Sequence, residues 1–306
     1  MLIGPLKYIM FMAAVISVPV YVLFLGTIIR FRRQAPFSTP FFTISLVLGI
    51  VDLVNLTNMW LLLKLPRLGW FYLDWLVIQW PAFWVKLGEI LCWWMGLSVI
   101  TSCLLMGINR LTSVAFPLRH DMMWNEAFMK RVLFFQVGVP FLMVVPLIGA
   151  EFEFEIANGT IGAAVMLADR SLHVVYFSLA MLYTLLIGLV CAGIYIFILY
   201  RLRQNANTVT EFVAGGEESE LTRKSQRAMT VIGMVMTLLL CLICIYSALA
   251  ASTTDAEMLD FYSELYYVAM DVWSWINPYL ALALCQPVRQ LFKAFLMCQT
   301  VEENDH

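Results

Sequence analysis

The chain has 306 residues, of which 62% are hydrophobic and 13% are charged, whereas soluble domains are near half apolar and a quarter charged. A water-soluble globule is therefore excluded, and a formal net charge of −2 lacks the basic surface that nucleic-acid binding requires. The seven cysteines show neither a disulfide framework nor a zinc-ligand spacing. The histidines, His120, His173 and His306, lie in separate segments, so we expect neither a metal nor a cofactor.

Seven stretches are long and apolar enough to cross a bilayer, which takes about 20 residues per helix. We predict transmembrane helices over residues 5–30, 40–64, 84–111, 128–150, 171–201, 226–251 and 260–285, then an amphipathic helix over 287–297. Residues 1–298 thus form one all-α, seven-transmembrane helix bundle with a short eighth helix, and 299–306 form a short tail. The longest polar stretch, 201–227, is too short to build its own core.

Positive charge predicts the orientation, because cytoplasmic loops retain Lys and Arg. With the N-terminus outside, fourteen of the nineteen basic residues lie on the inner side. They are Arg30, Arg32, Arg33, Arg110, Arg119, Lys130, Arg131, Arg201, Arg203, Arg223, Lys224, Arg227, Arg289 and Lys293. An odd number of spans then places the C-terminus in the cytoplasm.

The outer loop between the fourth and fifth spans has a strand pattern. Residues 151–155 alternate strictly between Glu and Phe, and Asn158-Gly159 is typical of a type I′ hairpin turn. We therefore predict a β-hairpin. Asn158 also begins an Asn-Gly-Thr glycosylation sequon, which is usable only on the outer face.

Landmarks at the inner ends of three spans resemble those of rhodopsin-like G-protein-coupled receptors. The third span ends in Asn109-Arg110, followed by Pro117-Leu118 at the family's spacing. The second span carries Asp52 where that family places an aspartate, and the seventh ends in Asn277-Pro278-Tyr279 before an amphipathic segment, 287–295. The resemblance implies a rhodopsin-like bundle that binds a heterotrimeric G protein.

A narrower resemblance is to the nematode serpentine chemoreceptors of classes v and g. It covers all seven spans, and its marks include Pro40-Phe41-Phe42 and Phe116-Pro117-Leu118-Arg119-His120 with Trp124 soon after. The resemblance implies a plasma-membrane receptor for a small molecule in a sensory neuron. It also implies that Arg110, which can snorkel into the cytoplasmic crevice, meets a G protein α subunit when the sixth helix moves outward.

Three of the chain's departures from the wider family bear on the switch and on the hairpin. Asn109 replaces the acid that pairs with the arginine, the sixth span has neither tryptophan nor proline, and the usual outer disulfide is absent, since Val85 takes the cysteine's place and 151–172 contain no cysteine. Packing alone must therefore hold the hairpin. Without an ion pair to Arg110, worth roughly 1 kcal/mol when exposed, we expect ligand-independent signalling.

Asp52 lies inside a span, where an acid costs roughly 2.5–3.5 kcal/mol and needs partners. Asn55, Asn58 and Asn277 are the candidates. We favour a hydrogen-bonded hinge over a sodium site, because Val99 stands where the family supplies a serine.

Two helix faces are candidates for a ligand pocket in the outer half of the bundle. Helical spacing groups Glu89, Cys92, Trp93 and Gly96 on the third span, and Glu264, Tyr267, Asp271 and Ser274 on the seventh. Acids on both faces favour a cationic or hydrogen-bond-donating ligand. The alternative to a ligand pocket is that Lys86 forms an ion pair with Glu89 and that Asp271 forms a bond to a neighbouring helix. The seventh span has no lysine, so it has no attachment point for retinal.

Two further hypotheses concern the C-terminal tail and the class of protein. Cys298 is a candidate for palmitoylation, with an unmodified thiol as the alternative. The rival to a receptor is a seven-helix transporter of a small solute, although no internal repeat relates the halves of the chain. No catalytic constellation shares one depth in the bilayer, so we do not expect an enzyme.

Overall fold

The computed structural model describes residues 3–65, 81–156, 163–209, 217–252 and 256–298. Its main helices are α1 (Ile3–Arg30), α2 (Pro40–Asn58), α3 (Pro81–Ala115), α4 (Glu126–Val144), α5 (Arg170–Val209), α6 (Glu217–Ser252), α7 (Ala256–Leu284) and α8 (Gln286–Leu296). Helix α2 continues as a π-helical stretch, Met59–Lys64, and a 3₁₀ stretch, Val145–Gly149, follows α4. Strands β1 (Phe152–Ile156) and β2 (Ala163–Leu167) lie between α4 and α5.

Among the described residues, six helices are long and apolar enough to cross a membrane individually. The seventh candidate is a bent pair, in which Leu265–Leu284 and Gln286–Leu296 meet at 101°. A proline in the first turn of α8 suits a new helix start better than a continuation of α7. The predicted seven-helix bundle with a short eighth helix is confirmed.

Several helices are longer than the apolar runs that predicted them. Helix α5 extends to Val209 and α6 begins at Glu217, so both continue beyond the predicted limits of 201 and 226. The polar extension of α5, residues 201–209, contains neither Pro nor Gly, so nothing in it breaks a helix that is already nucleated.

The core of the bundle lies among α1, α2, α3, α6 and α7. Its largest fully buried side chains include Trp273, Tyr21 and Phe41. Large apolar side chains of α4 and α5 point outward instead, among them Phe134 at 68% exposure and Leu189 at 62%. An outer surface of this kind is unsuited to water and fits a lipid environment.

The hairpin predicted between α4 and α5 is present. Strands β1 and β2 pair antiparallel, from Phe152 opposite Leu167 to Ile156 opposite Ala163. The turn between them, with the sequon at Asn158, lies outside the described residues. All seven cysteines are free thiols, and Leu167 is buried in an apolar cluster with Val144, so packing fixes the base of the hairpin. We call this the hairpin end of the bundle and the opposite one the Arg110 end.

Candidate functional site

Arg110 closes the bundle at the end opposite the hairpin. It lies five residues before the end of α3, after twenty residues without a charge, 90–109. Its Nη2 donates to the Met229 sulfur at 2.7 Å, and its guanidinium carbon lies 4.5 Å from the centre of the Phe41 ring. The side chain is only 5% exposed. Arg110 therefore does not snorkel into an open crevice as expected but joins α3 to α2 and α6.

The guanidinium is buried with few polar partners. Arg110 Nε and the neighbouring Asn109 Nδ2 are both buried without a hydrogen-bond partner within the described ranges. In that part of the chain no carboxylate pairs with Arg110, whereas Lys64 pairs with Asp271 and Lys130 with Glu126. Because an unpaired buried charge is unfavourable, this arrangement holds Arg110 in place weakly.

A close contact joins α5 to α6 next to Arg110. The Tyr195 ring of α5 lies directly on Gly233 of α6, where an added Cβ would overlap the tyrosine hydroxyl. Glycine is required there because no side chain fits between the helices. The contact sets how closely α6 approaches α5 beside Met229.

The segment after α3 is tied back to that helix. It comprises a 3₁₀ turn, Pro117–Arg119, and a short helix, His120–Met123. Trp124 Nε1 donates to Thr112 Oγ1 at 2.8 Å, and the same oxygen lies 3.2 Å from His120 Nδ1. Burial lowers the pKa of His120. The predicted coupling residues Pro117 and Leu118 lie on the surface of this segment, with Leu118 95% exposed.

Asp52 has a partner that the sequence analysis missed. The Tyr21 hydroxyl of α1 donates to Asp52 Oδ2 at 2.7 Å. Of the expected partners, Asn58 instead donates to the Gly88 carbonyl at 2.8 Å, and no hydrogen bond joins Asn55 to Asp52. Asn277 lies beside Tyr21. The expectation of a direct bond to Asp52 was wrong for Asn58, which is six residues further along α2 and bonds to Gly88 instead, and for Asn55, which shares the helix face of Asp52 but forms no hydrogen bond with it.

The other end of the bundle contains an ion pair between α2 and α7. Lys64 Nζ lies 2.5 Å from Asp271 Oδ2, and the two side chains are 11% and 5% exposed. The lysine nitrogen also lies 5.0 Å from the Trp60 ring centre and 5.6 Å from that of Tyr267. Lys64 is the last residue of the predicted second span, 40–64. A lysine at that boundary was the available signal in the sequence.

The residues predicted to line a pocket separate into two groups. Cys92 faces α2, with its thiol 3.2 Å from the Met59 sulfur, and it lies within electrostatic reach of Glu89 and Lys64. Trp93 turns towards α5 and packs edge-on to Tyr176 at 6.0 Å between ring centres.

The rest of the predicted set is distributed as follows. Ser274 donates to the Met270 carbonyl in its own helix at 3.0 Å, whereas a Cβ added to Gly96 would meet no atom within 4 Å. Tyr267 shares the Lys64 contact with Asp271, and the Glu264 side chain is outside the described part. Within that part no group of three or more His, Cys, Asp and Glu could hold a metal ion.

The membrane-crossing helices together with the short α8 define a seven-transmembrane helix bundle. The family model for serpentine type seven-transmembrane G-protein-coupled chemoreceptors, Srv, matches residues 10–298. The chain belongs to this Srv family. It is also similar to serpentine receptor class V-1 of Caenorhabditis elegans, with 23% identity over 293 residues that cover 95% of this chain and 90% of the relative. The predicted resemblance to class v receptors is confirmed.

Proposed function

We propose that this serpentine chemoreceptor binds a small molecule at the hairpin end of the bundle and activates a heterotrimeric G protein at the Arg110 end. The orientation that goes with this function has the N-terminus outside the plasma membrane and the C-terminus in the cytoplasm. The observation that carries the proposal is the environment of Arg110, a buried cation held by Phe41 and Met229.

The Arg110 contacts favour a switch rather than a permanent core. A thioether is a weak hydrogen-bond acceptor, so breaking the link between α3 and α6 costs little free energy. If α6 moves away from α3, the guanidinium loses its cover and presents its donors to the space between the helices. Backbone carbonyls of an inserted G protein helix would satisfy those donors. This is a rigid-body change between two packings.

The surface next to Arg110 offers a second contact. Leu118 is 95% exposed and Phe116 is 53% exposed, on a segment that Trp124 and Thr112 hold against α3. An exposed apolar pair on a held segment suits a protein partner. We assign the coupling face to this segment together with the Asn109-Arg110 end of α3.

The test is receptor-dependent nucleotide exchange. Wild-type receptor in nanodiscs, with an added G protein heterotrimer, should accelerate exchange above empty nanodiscs even without ligand. Arg110→Ala should remove this acceleration, while Lys130→Met, a change at an exposed pair on α4, should not. Equal exchange by wild type and Arg110→Ala would contradict the proposal.

The remaining assignments concern covalent modification. Cys298 is exposed and lies just after α8, whose Phe295 ring stacks on Arg30 at 5.8 Å. This position beside a basic helix end suits a palmitoyl chain at the inner leaflet. Acyl exchange that Cys298→Ser abolishes would support lipidation, and a mobility shift on glycosidase treatment that Asn158→Gln abolishes would support glycosylation. If acyl exchange is the same in wild type and Cys298→Ser, lipidation of Cys298 is rejected. If glycosidase treatment shifts the mobility of neither wild type nor Asn158→Gln, glycosylation of Asn158 is rejected.

A further inference from the structure

We propose that the Lys64 side chain occupies an ammonium-binding site of this receptor, and that the activating ligand is a small organic ammonium ion that displaces it from Asp271. This inference rests on the proposed function and names the chemical class of the ligand. It concerns the cluster formed by Lys64, Asp271, Trp60 and Tyr267, which we call the ammonium cage.

The cage has the chemistry of an organic-cation site. One carboxylate oxygen of Asp271 lies 2.5 Å from Lys64 Nζ, and two aromatic rings, Trp60 and Tyr267, lie within 5.6 Å of it. The Tyr267 carbonyl is 3.5 Å away. A carboxylate with aromatic faces and a carbonyl is the arrangement that proteins use to bind alkylammonium groups. Here the group that fills it belongs to the receptor.

The charges around the cage favour a cation over an anion. Asp271 is an acid on α7, and the Lys64 ammonium pairs with it in the cage. A ligand anion would have to displace Asp271 from Lys64, whereas a ligand cation can displace the Lys64 ammonium and form the same ion pair with Asp271.

The walls of the cage are held independently of Lys64. Trp60 is 7% exposed and packs against Phe11 of α1 at 5.3 Å between ring centres. Asp271 lies on α7 in the turn that contains the fully buried Trp273. Lys64, in contrast, reaches the cage by a flexible side chain from the last residue of the π-helical stretch. An exchangeable occupant between fixed walls suits competition with a free ligand.

The exchange also suggests how binding changes the bundle. The Lys64–Asp271 pair ties the end of α2 to α7. A free ammonium ion satisfies the same carboxylate but is not attached to α2, so the tie between the helices is lost while the buried Asp271 carboxylate stays paired. A buried pair is weak evidence for stability by itself, because desolvation offsets the attraction. A role in ligand exchange accounts for its presence.

The decisive experiment measures ammonium binding by calorimetry in nanodiscs, without G protein. The probe is n-butylammonium, with n-butanol and butyrate as the neutral and anionic controls. Lys64→Met should bind n-butylammonium at least tenfold more tightly than wild type, because the internal competitor is gone. Lys64→Met/Asp271→Asn should bind none, and Lys130→Met should match wild type.

The variants and the butyrate control each give a result that can contradict the proposal. Equal affinity in wild type and Lys64→Met, binding retained without Asp271, or preference for butyrate would each overturn the proposal. If Lys64→Met is unstable because Asp271 is left unpaired, n-butylammonium should raise its melting temperature, and failure to do so counts against the cage. Binding without nucleotide exchange would leave the cage in place and reject G protein coupling, so the two proposals fail separately.

Discussion

The Met229 sulfur of α6 lies 2.7 Å from Arg110 Nη2 of α3. This contact links the two helices whose separation the proposed switch requires. The guanidinium has no carboxylate partner among the described residues, so the link depends on a weak acceptor and on the Phe41 ring. The state with Arg110 covered is therefore held by little more than packing.

Removing the Met229 sulfur should raise basal signalling. Met229→Ala deletes both the acceptor and the side-chain volume over Arg110, so we expect ligand-independent nucleotide exchange to rise about three- to tenfold, as loss of about 1 kcal/mol would produce. The measurement is exchange by the nanodisc-embedded receptor with G protein. Met234→Leu is the matched control on α6, and an unchanged rate in Met229→Ala would show that this contact does not hold the covered state.

A methyl group at Gly233 should disturb the α5–α6 contact. Gly233→Ala places a Cβ into the Tyr195 hydroxyl, and overpacking of this kind costs about 1–3 kcal/mol. We expect a lower melting temperature in detergent. In Gly193→Ala of α5 the added Cβ meets no atom within 4 Å, so that variant should be neutral or gain about 0.5–1 kcal/mol.

The same prediction has an internal check. Tyr195 is itself buried, so Tyr195→Ala lowers stability on its own account. In that background Gly233→Ala should cost little further stability, because the ring that the new methyl group meets is gone. If Gly233→Ala lowers the melting temperature as much in the Tyr195→Ala background as in wild type, the loss has another cause.

Breaking the Tyr21–Asp52 hydrogen bond should destabilise the core. Tyr21→Phe leaves Asp52, which is fully buried, without the donor that lies 2.7 Å away. An unsatisfied buried acceptor costs about 1–3 kcal/mol, measurable as a lower free energy of unfolding. Tyr8→Phe on the same helix, at a tyrosine that is 57% exposed, should have no effect. Equal stability of wild type and Tyr21→Phe would mean that Asp52 finds another partner.

The segment after α3 should loosen as the pH falls. Burial and, to a lesser extent, the charge of Arg110 lower the pKa of His120 below its ordinary value, although Asp121 opposes the shift. A lowered pKa means that the unfolded segment binds more protons, so its stability decreases as the pH falls below about 6.5. Hydrogen exchange of residues 117–124, corrected for intrinsic rates, should therefore speed up in mild acid.

The control for the pH prediction is His120→Gln. This variant cannot titrate, so protection of the segment should become independent of pH over the same range. If wild type and His120→Gln respond alike, another group is responsible.

Helix number and the hairpin were predictable because each depends on a local pattern. A span must satisfy its backbone hydrogen bonds internally and expose apolar side chains to lipid, and both conditions are visible in runs such as residues 8–29 and 90–109. The alternation of 151–155 predicted β1 in the same way. Helix ends were less predictable: α5 and α6 continue past their apolar runs, since lipid limits the apolar stretch but not the helix.

The sequence alone was therefore enough to predict the seven helices, the short α8 and the place of Arg110 near the end of α3, because the bilayer imposes apolar, internally hydrogen-bonded helices on a spanning chain. Only the tertiary structure decided which side chains meet. Tyr21 reaches Asp52, Met229 covers Arg110, and Lys64 pairs with Asp271 across 207 positions of sequence. These pairs join different helices, and their partners depend on how each helix is rotated and tilted against its neighbours. Periodicity along one helix identifies a face, but it contains no information on the helix that packs against that face.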